Sequence, residues 1–400
     1  MVELQRTRIL LITRNLPPLV GGMERLNWHM ADELAKAAEV RIIGPQGSAV
    51  MAPATVAMQE VPLKPLWNFL LRAAWKARQV AKRWRPHVVL AGSGLTAPLA
   101  WLAARACGAR AVAYVHGLDV AVKHPLYRAL WLPAIRRMDV VIANSRPTAT
   151  LCRQIGVAAE HIAIVHPGVE LPADEYPNGL RSEPLSHRER GRGEGSANDF
   201  RQHHGLGNRP ILLSVGRLST RKGLREFVTQ ALPRIVAAHP DVMLLVIGDA
   251  PKQALHAQAQ TPESILAVAN AAGVGGHLRF LGVITDYAKL GVAYRAADVH
   301  VFPVREIPGD PEGFGMVAVE AAVHGLPTVA FATGGIVDAV AEGRSGRLVV
   351  SGDYVGFADA VAQTLAERDA LREPSIAFAQ QFAWPAFGAG VWQALQSVAK

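Results

Sequence analysis

The chain has 400 residues, half of them hydrophobic, which suits two α/β domains better than one core. Its two cysteines, Cys107 and Cys152, exclude a disulfide framework and a Cys-rich metal site, and buried reduced thiols are expected. The net charge of +9 lies wholly in the first half: 21 Lys+Arg stand against 12 Asp+Glu up to Glu175, and 21 against 21 beyond it. In chain order, the apolar run Ile9–Ile12 is stopped by Arg14, so a strand is expected there and not a signal peptide. No apolar stretch reaches the roughly 18 residues that span a bilayer, which predicts a cytoplasmic protein, peripheral on the inner face of the cell membrane if it meets lipid at all.

Strands are predicted over 8–13, 40–43, 87–91, 111–115, 140–143 and 162–165, with helices over 23–36, 66–84 and 97–106 between them. The pattern restarts with strands over 211–215, 243–247, 278–281, 299–302, 328–331 and 347–350. Helices are expected over 224–238, 262–272, 285–296 and 315–324. Such alternation predicts parallel sheets with crossover helices. The boundaries expected are 1–175 for an N-terminal domain, 207–380 for a C-terminal one, and 381–400 for a terminal helix. Between the domains, 176–206 is rich in charge and glycine without apolar periodicity, and is expected to be a mobile linker. Its basic residues lack interleaved aromatics, so no nucleic-acid partner is expected.

The helix around Lys64–Arg85 holds seven basic residues with Trp67, Trp75 and Trp84. Two readings stay open. It is an ordinary crossover helix with snorkelling cations, or it meets an anionic membrane surface.

Five glycine-bearing loops follow predicted strands, where ligands of parallel sheets bind. In the first, Gly21-Gly22 would let a helix start approach an anion; it is not G-x-G-x-x-G, which lowers a dinucleotide reading. In the second, Tyr114-Val115-His116-Gly117-Leu118-Asp119 places His116 at a strand's carboxyl end. In the third, Gly216-Arg217-Leu218-Ser219-Thr220-Arg221-Lys222-Gly223 offers Arg217 and Lys222 to adjoining phosphates. The fourth is the most specific. Glu312-Gly313-Phe314-Gly315 leads into a helix carrying Glu320 about two turns on, at most ~12 Å away along the axis. Thr333-Gly334-Gly335 follows the next strand.

Together these motifs resemble the family-four retaining glycosyltransferases of the GT-B fold, over nearly the whole chain. The Glu-x7-Glu spacing of Glu312 and Glu320 and the Gly-Arg-x4-Lys-Gly loop carry most of the likeness, and Phe382-Ala383-Trp384 resembles the family's ending. The resemblance implies two Rossmann-like domains facing each other across a cleft, with the last helix packing back on the N-terminal domain. It also implies site roles. Glu320 would hold the donor ribose, and Arg217 and Lys222 the diphosphate. Glu312, with the backbone from Gly313 through Phe314 to Gly315, would face the sugar. His116 would sit beside the reaction centre, Gly21 and Gly22 would approach the diphosphate with Gly216, and Thr333, Gly334 and Gly335 would line the nucleotide side. Asp119 is a candidate acceptor contact.

The implied activity is metal-independent hexosyl transfer, with retention, from a nucleoside diphosphate sugar to a glycan or lipid-linked acceptor in cell-envelope biosynthesis. No cofactor and no metal are expected, since no Asp-x-Asp motif is present. The alternatives are a catalytically silent membrane- or protein-binding scaffold of the same fold, or a nucleotide-sugar epimerase.

Overall fold

The computed structural model describes residues 6–172, 196–250 and 260–399. The chain divides into two compact units, 1–169 with 382–400, and 170–381.

In the first unit the elements run β1 (Arg8–Ile12), α1 (Gly22–Ala35), β2 (Glu39–Pro45), β3 (Ala57–Val61), α2 (Leu66–Trp84), β4 (Val88–Ala91) and α3 (Ala97–Arg105). They continue with β5 (Arg110–Val115), α4 (Leu118–Ala121), α5 (Pro125–Arg136), β6 (Val140–Ala143), α6 (Arg146–Gln154) and β7 (Ile162–Ile164). All seven strands are parallel, in the order β3-β2-β1-β4-β5-β6-β7. The inner ones are buried on both faces, which is why they were legible as apolar runs. One core, on Leu10 and Ile12, is filled by α2, α3, α5 and α6. Helix α1 contributes nothing to it and covers the other face, because successive strand side chains alternate.

The second unit starts with α7 (Ala197–His203), β8 (Ile211–Val215), α8 (Leu224–Gln230), α9 (Leu232–Ala238), β9 (Met243–Ile247), α10 (Pro262–Ala271) and β10 (Leu278–Gly282). It continues with α11 (Tyr287–Ala296), β11 (Val299–Phe302), α12 (Met316–Val323), β12 (Thr328–Phe331), α13 (Ile336–Ala339), β13 (Gly346–Val349) and α14 (Tyr354–Ala379). Its parallel sheet runs β10-β9-β8-β11-β12-β13. The chain then returns to the first unit as α15 (Trp384–Ala399), which packs on α1. There Trp384 is fully buried, its ring stacked 3.9 Å from that of His29.

Three expectations change. Residues 176–195 of the expected linker lie outside the described residues, but 197–203 form a helix. Ser196 and Asp199 close a reciprocal capping box, with Ser196 N–H donating to Asp199 Oδ2 at 2.8 Å and Asp199 N–H to Ser196 Oγ at 3.0 Å. Arg201 then ties this helix to the Ala296 carbonyl and to Asp298. The single helix expected over 224–238 is two, broken at Ala231 ahead of Pro233. Finally, α12 starts at Met316, so Glu320 is its fifth residue, only just beyond the first turn.

Candidate active site

In the second unit the strand order reverses between β8 and β11, the place where open parallel sheets hold ligands beyond their carboxyl ends. The loops after these two strands are stitched together. Gly216 N–H donates to Ile247 O and Leu218 N–H to Asp249 O, both at 2.9 Å, anchoring the first loop to the end of β9. A 3-10 turn over Thr220–Lys222 ends at Gly223, whose φ of +69° favours glycine. A Cβ there would lie 2.1 Å from the Pro303 carbonyl oxygen, so only glycine lets the loops meet. Arg305 N–H donates to Arg221 O at 2.8 Å across the same seam.

The seam brings charge together. Glu312 Oε2 accepts from Lys222 Nζ at 2.8 Å and also pairs with Arg221 Nη1, while Arg221 Nε lies 3.4 Å from Asp310. Burial alone would raise the Glu312 carboxyl, yet Lys222 and Arg221 hold it down to about 2. Desolvation lowers Lys222 despite Glu312, with Arg221 and Arg217 adding to the fall. Arg221 moves the other way: Glu312 and Asp310 outweigh its desolvation. The fall of Lys222 is led by burial, but three cations, Arg217, Arg221 and Lys222, stand at this seam with two carboxylates, Glu312 and Asp310, which leaves positive charge in excess. An anion arriving here would relieve it. Arg217 itself is exposed on the loop. Beneath Lys222 lies the Phe302 ring, 4.6 Å from Nζ, and behind that the buried His300, kept neutral down to about 3 by desolvation and by Lys222.

The Gly334-Gly335 pair has a clear physical cause. A Cβ on Gly334 would fall 2.4 Å from Glu312 O, and one on Gly335 would fall 2.0 Å from Gly313 O. Gly335 N–H donates to Glu312 O at 2.8 Å. The pair thus supports the Glu312 loop from below. Gly315, at φ +96°, starts α12 with no side-chain cap, which leaves the helix start open to an acceptor oxygen from a ligand. Phe314 sends its side chain into the core at 2% exposure, so only its backbone can face a ligand. Thr333 is buried beside the glycine pair. Glu320 is half-buried, with the Tyr294 hydroxyl 3.4 Å from Oε2.

In the first unit the order reverses between β1 and β4. Gly21 caps α1, and a Cβ on it would strike the Glu24 carboxylate, which also accepts from Asn15 Nδ2 at 2.7 Å. Any anion at this helix start shares it with Glu24. His116 follows β5, its Nε2 3.2 Å from the Gly92 carbonyl that ends the β4 region. Asp119 Oδ2 accepts the His116 backbone N–H at 3.0 Å and its side chain packs on Gly94. One oxygen of the candidate acceptor contact is thus engaged in holding the His116 loop.

The structure groups Gly216, Lys222, Glu312, Gly313, Gly334 and Gly335 at one seam, and Gly21, Gly22, His116 and Asp119 at the edge of the other sheet. Arg221, Asp310 and Tyr294 were not singled out from the sequence. Arg221 stood next to Lys222 in the same loop, but nothing local tied it to Glu312.

Residues 209–367 match the family described as glycosyl transferases group 1, and residues 20–172 match glycosyltransferase family 4. A GDP-mannose-dependent alpha-(1-6)-phosphatidylinositol monomannoside mannosyltransferase of Mycobacterium tuberculosis is 30% identical over 376 residues, covering 91% of this chain and 90% of the relative. The chain belongs to glycosyltransferase family 4. This family-four glycosyltransferase is also 31% identical to D-inositol 3-phosphate glycosyltransferase 2 of Catenulispora acidiphila over 63% of its length and 54% of that protein. In fold it is similar to Anabaena Alr3699/HepE, solved with UDP, at a TM-score of 0.76 and 20% identity, over 98% of this chain and all of that one. Sucrose-phosphate synthase of Thermosynechococcus elongatus gives 0.76 at 22% identity, over 98% and 99%. The fold is GT-B, with two Rossmann-like α/β domains.

Proposed function

We propose that this glycosyltransferase moves a hexosyl group from a nucleoside diphosphate sugar to a glycan or lipid-linked acceptor of the cell envelope, with retention and without a metal. The observation that carries the reading is the surplus positive charge of Arg217, Arg221 and Lys222 at the strand-order reversal beside Glu312. Its support from relatives is a shared donor class: the mycobacterial relatives are named GDP-mannose-dependent, and the structural neighbours hold UDP or UDP-glucose.

In this reading the bond from the anomeric carbon to the diphosphate oxygen breaks as the acceptor oxygen bonds to the same face. The acceptor proton passes to the leaving phosphate oxygen. Negative charge grows on the diphosphate, and Arg217, Lys222 and the open start of α12 stabilise it more in the transition state than in the ground state. Glu320 holds the ribose hydroxyls, with Tyr294 setting its carboxylate. Glu312 and the Gly313–Gly315 backbone orient the sugar, and Thr333, Gly334 and Gly335 support the nucleotide side. Gly21, Gly22 and Gly216 allow close backbone approach, His116 lies at the sugar, and Asp119 serves the acceptor side through the His116 loop.

The test is release of nucleoside diphosphate from a panel of UDP-, GDP- and ADP-sugars, first without acceptor and then with candidate lipid acceptors. One donor should be hydrolysed slowly alone and turned over faster with acceptor. Full turnover in Glu320→Ala or Lys222→Ala would remove the site assignment.

A further inference from the structure

Helix α2 carries an apolar stripe on its outer side. Trp67, Leu71 and Trp75 stand four residues apart, on one helical face, and are 66%, 65% and 61% exposed. The opposite side of α2 is the ordinary core-facing one, with Phe69, Ala73, Ala77 and Val80 buried. The stripe is therefore an addition to what packing requires. The same layer exposes Leu102 on α3, and Leu126 and Leu130 one turn apart on α5, with α3 in contact with both α2 and α5.

Charge gives this layer a sign. Helices α2, α3 and α5 contain no aspartate or glutamate. They carry Arg72, Lys76, Arg78, Lys82 and Arg83, then Arg105, then Arg128 and Arg136. Among the described residues none of these eight is in an ion pair. Helix α1, on the other face of the sheet, holds Glu24, Asp32 and Glu33. The basic excess of the first half is thus concentrated over one helical layer, around exposed tryptophan and leucine.

We propose that the α2–α3–α5 layer docks this protein on a membrane of anionic phospholipid, with Trp67, Leu71 and Trp75 entering the headgroup–acyl boundary. Tryptophan suits that boundary, and Arg72, Arg78 and Lys82 can extend from flanking positions of the same helix to lipid phosphates. Leucine in the middle of the stripe decides against nucleic acid: an aliphatic side chain gives a phosphate backbone nothing, whereas it gains from an acyl layer. No helix among the described residues is long and apolar enough to cross a membrane, so this docking is interfacial. It is independent of which sugar the protein transfers.

The test is co-sedimentation of the full chain with vesicles of pure phosphatidylcholine and of equal parts phosphatidylcholine and phosphatidylglycerol. Binding should be confined to the mixed vesicles and weaken with salt, and brominated acyl chains should quench tryptophan emission. Trp67→Ser with Trp75→Ser should cut the vesicle affinity at least tenfold and remove most of the quenching. Each reversal among Arg72→Glu, Arg78→Glu and Lys82→Glu should cost about fivefold. All five positions are exposed or at the helix surface, and melting curves that match the parent's establish that each variant is folded. Absence of binding to mixed vesicles at low salt overturns the proposal, as does equal binding by the tryptophan variant. Tighter binding to a duplex oligonucleotide than to the mixed vesicles also overturns it.

Discussion

Oε2 of Glu312 is 2.8 Å from Lys222 Nζ and is gripped at the same time by Arg221, so one carboxylate oxygen serves two cations from a single turn. The two are not equivalent. Arg221 has Asp310 as a second partner, while Lys222 leans on an aromatic ring and is lowered, first by burial and then by its arginine neighbours. Lys222 is therefore the cation free to turn to an incoming diphosphate, and Arg221 the one that keeps Glu312 paired when it does. Lys222→Ala should lower kcat/KM for the sugar nucleotide by about 10²–10³. Arg221→Ala should cost about tenfold, mostly in kcat, because Lys222 is then the only partner left to Glu312 and is held back from the donor. Steady-state nucleoside diphosphate release measures both. Equal losses would mean that the two cations share one role.

The glycine pair under the Glu312 loop gives a second test. Gly334→Ala puts a methyl group 2.4 Å from the Glu312 carbonyl at a φ of +51°, and Gly335→Ala puts one 2.0 Å from the Gly313 carbonyl. The obstacles are backbone, not side-chain ends, so the loop must move. Each change should destabilise the second unit by roughly 1–3 kcal/mol and weaken nucleotide binding together with it. Calorimetric melting with and without UDP or GDP reads both effects. A variant with normal melting and normal nucleotide affinity would show that the loop does not rest on this pair.

What was legible in the sequence followed from burial. Strands such as Leu10–Ile12 and Met243–Ile247 are covered on both faces, so they appear as apolar runs flanked by breakers. Edge strand β3 alternates between exposed and half-covered residues and was not recognised. Nor was α14, whose 26 residues spread apolar and polar side chains around the helix without a stripe. Glycine loops marked Lys222 and Glu312 as separate candidates. Their pairing, across 90 positions, is a product of the parallel topology that sets the carboxyl ends of β8 and β11 side by side. Helix α7 had a readable signal, Ser196 three residues before Asp199, obscured by the charged and glycine-rich stretch ahead of it.

Acid should destabilise the second unit in two stages. His300 is held neutral down to about 3, by burial and then by Lys222, against an ordinary 6.5. The unfolded chain takes up that proton first, so this contribution is present above pH 6.5 and is lost as pH falls towards 3. Glu312 is depressed from 4.5 to about 2, so its stabilisation of about 3 kcal/mol is present above 4.5 and lost as pH falls towards 2. Melting temperatures of the parent, His300→Gln and Glu312→Gln at about pH 7.5, 5.5 and 3.5 separate the stages. His300→Gln should flatten the fall in both intervals, and more in the second, whereas Glu312→Gln should flatten only the fall between the last two conditions. Parallel curves for all three proteins would place the acid sensitivity elsewhere.

The last helix is tied to the first unit by a fit that can be measured as a coupling. Trp384 is fully buried, stacked on His29, and its ring occupies the space above Gly168, where a Cβ would sit 2.2 Å from Cε3. Val169 N–H donates to Phe382 O at 2.7 Å beside it. Trp384→Ala leaves a large cavity and should cost about 3–5 kcal/mol. Gly168→Ala alone should cost a comparable amount, since the ring cannot retreat from a contact at that distance. In the Trp384→Ala background the same Gly168→Ala change should be nearly neutral, because the methyl group enters the space the indole has left. The expected coupling is therefore large, about 3–5 kcal/mol in favour of the double variant and equal to the cost of Gly168→Ala alone, against the additivity found for sites without contact. Denaturant melts of the parent, both single variants and the double variant complete the cycle. Additive losses would show that the Trp384–Gly168 contact contributes nothing, and that α15 is held by its packing on α1, β5 and β6.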